Sequence, residues 1–144
     1  MKKVKIVTVA MLVCLLLTVI TVPILAQEVN IQALVELFIS DPAAAMDQLL
    51  ELAKTNPQAV ALVLGEVAAR SVKLRATNPD LAASLESAIQ ITCITLVDTN
   101  PAAAALAVVT IKDKAPDVGE SVEKVVVAYG LEESYLAAAS PVRP

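Results

Sequence analysis

The tripeptide Thr55-Asn56-Pro57 recurs as Thr77-Asn78-Pro79 and again as Thr99-Asn100-Pro101, each copy 22 residues after the last. Proline is excluded from a helix interior, where it lacks an N–H and collides with the preceding turn, but it suits the first helical position. The residue before it is pushed to extended backbone, and Asn there is a preferred N-cap. Each tripeptide therefore closes one helix and opens the next. Ser40-Asp41-Pro42 repeats the device with an acidic cap, and Ala115-Pro116 is a weaker copy without a capping side chain. The expected structural caps are Asp41, Asn56, Asn78 and Asn100, with Pro42, Pro57, Pro79 and Pro101 opening their helices.

Aligned on their threonines, the three units share apolar columns: Ala59, Leu81 and Ala103; Val63, Leu85 and Ala107; Val67, Ile89 and Ile111; Leu74, Leu96 and Val118. The first three columns step by four residues, which keeps side chains on one helical face. Helices are predicted at 30–39, 42–54, 57–76, 79–98, 101–113, 116–129 and 131–138, with Gly130 as a left-handed stop and Leu131 supplying the apolar contact that accompanies it. Connections of two or three residues force successive helices into antiparallel hairpins. The expected fold class is all-α: a compact bundle or short solenoid of antiparallel helices built on a 22-residue Thr-Asn-Pro-punctuated repeat. Three stretches, 89–97, 107–111 and 125–127, are rich in β-branched residues that favour strands. Capping and period point to helix there. Gly65, in mid-helix, marks either a close crossing or a kink.

Lys2, Lys3 and Lys5 precede an apolar stretch from Ile6 to Leu25 that exits through Ala26. Residues 1–26 read as a secretory signal peptide, with an uncleaved membrane anchor as the alternative. Residues 27–139 read as a single helical domain, and 140–144 as a flexible C-terminal tail. The three leader lysines leave eight basic side chains after residue 26 against all fifteen acidic ones, a formal charge of −7 for the exported part. The expected location is outside the cytoplasm, secreted, extracellular or periplasmic, with the membrane as a partner only if residues 1–26 are retained. Cys93 is the lone cysteine after the signal. It is a candidate intermolecular thiol, although its neighbours Ile91 and Ile94 suit a core position better.

The chain has no histidine, so the commonest general base and metal ligand are missing, and it has no basic cluster for a nucleic acid. No catalytic residue, cofactor or metal site is expected. Ser121 and Lys124 have the spacing of a Ser–Lys nucleophile pair without its companion motifs. Asp113, Asp117, Glu120 and Glu123 fail the calcium-loop register, because Gly119 falls one position late. What is left is an exported, non-enzymatic structural or interaction protein, either a homo-oligomer or the partner of an envelope protein. The alternative is a carrier of an apolar ligand such as a lipid, since an aliphatic core with 2% aromatic residues would line a cavity suited to acyl chains.

Overall fold

A computed structural model describes the chain over residues 29–141. The expected signal or anchor at 1–26 and the last three tail residues lie outside the described residues. Seven α-helices follow in order: α1 Ile31–Ser40, α2 Pro42–Ala53, α3 Pro57–Leu74, α4 Pro79–Thr99, α5 Pro101–Lys114, α6 Pro116–Tyr129 and α7 Glu133–Ala139. Among the described residues there is no strand, so the protein is all-α. The three β-branched stretches are helical, because burial and capping outweigh a weak local preference. The predicted ends move by at most two residues. Three connections shrink to a single residue, Asp41, Asn100 and Ala115, rather than two or three.

These single residues work as joints. Asp41, Asn100 and Ala115 share an extended conformation, with φ between −146 and −156 and ψ between 79 and 84. In each, the backbone N–H closes the preceding helix by donating to a carbonyl four residues back, at 2.7 Å. The following proline then begins a new helix in a new direction. At the other end of α6, Gly130 adopts φ 132, where only glycine is unstrained. Its N–H donates to Val127 at 3.1 Å while Leu131 N–H donates to Val126 at 2.9 Å, a Schellman closure. Leu131 is buried, as the sequence predicts.

Extensive packing joins only helices one or two apart in chain order. α1, α3, α5 and α7 pack in succession, as do α2, α4 and α6, while each helix from α1 to α5 also packs on the one that follows it. α4 and α6 run parallel: Gln90 bonds Ser121 and Asp98 bonds Tyr129, both with the same offset. The broadest contact is between α3 and α5. Both are apolar around most of their circumference, which suits the centre of the molecule. Of the twelve aligned apolar positions, all are buried except Leu74 and Leu81, which are half-buried. The core contains one aromatic residue, Phe38, among aliphatic side chains and alanines.

Candidate functional site

The four predicted caps all hold helix starts. Side-chain oxygens accept the N–H three residues on, from Ala44 to Asp41, Ala59 to Asn56, Leu81 to Asn78 and Ala103 to Asn100, at 3.0–3.2 Å. Ala115 makes no such bond, in keeping with its side chain. A fifth cap, Asn30, accepts from Ala33 at 3.0 Å and was legible as an Asn before an apolar run. Asn100 does more than its counterparts, since its Nδ2 also donates to the carbonyl of Ala53 at 3.0 Å. The α4–α5 joint is thereby tied to the end of α2.

Cys93 lies fully buried in α4, and burial in apolar surroundings pushes its thiol up to about 12. A thiol held there is protonated and sealed from solvent, so bridging to another chain would require the core to open. α4 alone among the described helices is long and apolar enough to cross a membrane, with mean hydropathy 1.3. Its buried residues, Ala82, Leu85, Ile89, Thr92, Cys93 and Leu96, line the side packed against the other helices.

Several polar residues outside the caps pair across helices. Arg75, just past α3, donates to Glu86 of α4 at 2.8 Å and to Asp117 in the first turn of α6. Those bonds hold Asp117 below the usual carboxylate range and raise Arg75 further. Arg70 pairs with Glu36 across α3 and α1 at 2.6 Å, and Lys114 with Glu66 across α5 and α3 at 2.5 Å; both glutamates are lowered by their partners. Ser121 accepts from Gln90 at 3.0 Å instead of pairing with Lys124. The acidic run is dispersed, with Asp117 on Arg75 and Glu123 on Lys112. Among the described residues no group of three or more Cys, Asp or Glu side chains could hold a metal ion.

A cleft of about 950 Å³ lies between α3, α5 and α7. Leu106, Val109 and Thr110 of α5 line it, together with Leu62 of α3 and Leu136 and Ala139 of α7. Lys112, Asp113 and Lys114 in the last turn of α5 also line it, together with Glu123. Neither the cleft nor the Arg75 junction was visible in the sequence, because both depend on which helices become neighbours. The chain matches no protein-family model, no curated protein and no solved structure.

Proposed function

We propose that this chain is an exported, non-enzymatic helical protein that acts through interaction, associating with copies of itself or with a partner in the cell envelope. The observation that carries this reading is the restriction of extensive packing to helices one or two apart. In such an array the helices at either end lack the neighbour that covers those in the middle, as in a solenoid whose repeats bury their faces against one another. The 22-residue Thr-Asn-Pro unit supplies the repeat, with α3, α4 and α5 as its three helices.

The surface supports the same reading. Of the five large apolar residues left exposed among those described, Val127, Tyr129 and Tyr135 fall in the last two helices. α7 buries none of its residues fully, so the C-terminal end is the least covered part of the array. Contact with a neighbour there would bury aliphatic and aromatic surface. The lysine-rich start and apolar stretch of residues 1–26 support export. The lack of histidine in the sequence, and Ser121 bonding Gln90 rather than Lys124, support a non-enzymatic reading.

Sedimentation velocity over a hundredfold concentration range tests the proposal. Reversible association that Val127→Glu or Tyr135→Glu weakens supports it. A monomer throughout, with no envelope protein captured by crosslinking in the native host, argues against it.

A further inference from the structure

We infer that α7 is an exchangeable arm, which swings out about Gly130 and seats on α5 of a second copy while that copy's α7 takes its place. The inference rests on the self-association proposed for the chain and names the segment that carries it. At every other joint between the described helices the next helix opens on proline, at Pro42, Pro57, Pro79, Pro101 and Pro116, so the two helices cannot merge into one. The α6–α7 joint, Gly130-Leu131-Glu132, has no proline. What interrupts the helix there is the conformation of a single residue, Gly130 at φ 132. From Leu131 to Ala139 the chain consists of Leu, Glu, Ser, Tyr and Ala, so turning Gly130 to helical angles lets α6 run on through α7.

Opening conserves the hydrogen bonds of the hinge. The Gly130 N–H already donates to Val126 with helical spacing at 3.0 Å, and the Leu131 N–H, which donates to Val126 at 2.9 Å, moves to Val127. The arm itself is lightly held: α7 packs extensively on α5 alone, has no side-chain cap and buries none of its residues fully. Its half-buried Leu136 and Ala139 pack against the core and line the same cleft as Leu106 and Val109 of α5. The α7 of a second copy makes the same contacts there, because groove and arm are those of one sequence. Leu131 gives up its buried site on opening, so the closed form prevails in dilute protein and exchange grows with concentration. Val127 and Tyr129, exposed in the last turn of α6, stand beside the hinge where two exchanged chains cross. Contact between copies would cover them there.

Complementation between two variants of residues 27–144 tests the exchange. Val109→Asp spoils the groove and leaves the arm intact, whereas Leu136→Asp spoils the arm and leaves the groove intact. Mixed in equal amounts, they should form a heterodimer roughly tenfold more populated than either homodimer in native mass spectrometry, since only that pair seats an arm without burying an aspartate. Gly130→Ala tests the hinge without touching either surface: an added Cβ meets nothing within 4 Å, but φ 132 strains it in the closed form alone. Its dimerisation should tighten about tenfold per hinge, hence about a hundredfold per dimer, and this comparison decides if an aspartate variant does not fold. No preference for the heterodimer, or Gly130→Ala dimerising no more tightly than the natural chain, overturns the exchange. If the natural chain still associates in that case, self-association through another surface stands. If neither the natural chain nor Gly130→Ala associates at any concentration, both readings fall.

Discussion

The side-chain amide of Asn100 reaches the carbonyl of Ala53, 3.0 Å away, although the two residues lie at different helix joints. Its Oδ1 simultaneously caps α5 by accepting from Ala103. One side chain thus satisfies a donor at a helix start and an acceptor at a helix end, both of which would otherwise be orphaned. Asn78 makes only the capping bond and is exposed. Asn78→Ala should cost about 1 kcal/mol, the usual loss of a cap. Asn100→Ala should cost about 2–3 kcal/mol, because it also strands the Ala53 carbonyl beside a buried residue. Asn100→Asp keeps the cap oxygen and loses the donor, so it should fall between them. Urea unfolding followed by circular dichroism measures all three.

Two glycines differ in what an added methyl would strike. At Gly119 it would meet the Lys112 backbone, 2.5 Å from Cα and 2.6 Å from N, so α5 and α6 could not keep their separation. Gly119→Ala should therefore destabilise by about 2–3 kcal/mol, in the upper range for overpacking. At Gly65 the obstacles are Lys114 Cδ at 2.8 Å and Thr110 Cγ2 at 3.0 Å, and the first belongs to a long flexible side chain. There the gain of about 1 kcal/mol in helix propensity offsets the adjustment, so Gly65→Ala should be close to neutral. Paired thermal melts compare the two.

Much of this was legible beforehand, and the reason is local. Asn56-Pro57, Asn78-Pro79 and Asn100-Pro101 specify backbone angles through their own chemistry, so helix starts could be read directly. The Val63, Leu85 and Ala107 column gave the buried face by spacing alone. Gly65 was recognised as a crossing or a kink, and the contacts with Lys114 and Thr110 assign it to the crossing. Gly119 was read only as a misplaced calcium-loop glycine, because nothing near it in sequence reveals that Lys112 passes against it. The same holds for Arg75, whose partners Glu86 and Asp117 lie on different helices. The cleft depends on α7 lying along α5, which no local pattern encodes.

The buried thiol gives a kinetic test. With Cys93 sealed and its pKa raised to about 12, reaction with a small disulfide reagent should be negligible in the native protein at neutral pH. It should become complete on unfolding in denaturant. Rapid native labelling would place the thiol at the surface and restore it as a candidate bridge between chains.

Acid should loosen the helix ties in a predictable direction. Arg75 lowers Asp117, Arg70 lowers Glu36 and Lys114 lowers Glu66, so the folded protein holds fewer protons on these groups than the unfolded chain. Their contribution is present above the ordinary carboxylate range near pH ~4 and is lost as pH falls through the lower folded values. Stability should decline below about pH 4, and Arg75→Gln should flatten that limb while lowering the neutral plateau by about 1 kcal/mol at most. At the alkaline end, Asp98 raises Tyr129, so that contribution is lost as pH rises through the raised value. Denaturant midpoints taken from pH 2 to 11 follow both limbs.

Association itself is tested most directly by the native mass of residues 27–144, measured by light scattering coupled to gel filtration at several concentrations, with and without reductant. The expected result is a mass that grows with concentration and is unchanged by reductant, because Cys93 is buried. A monomer at every concentration would contradict self-association, and an oligomer that reductant dissolves would contradict the sealed core.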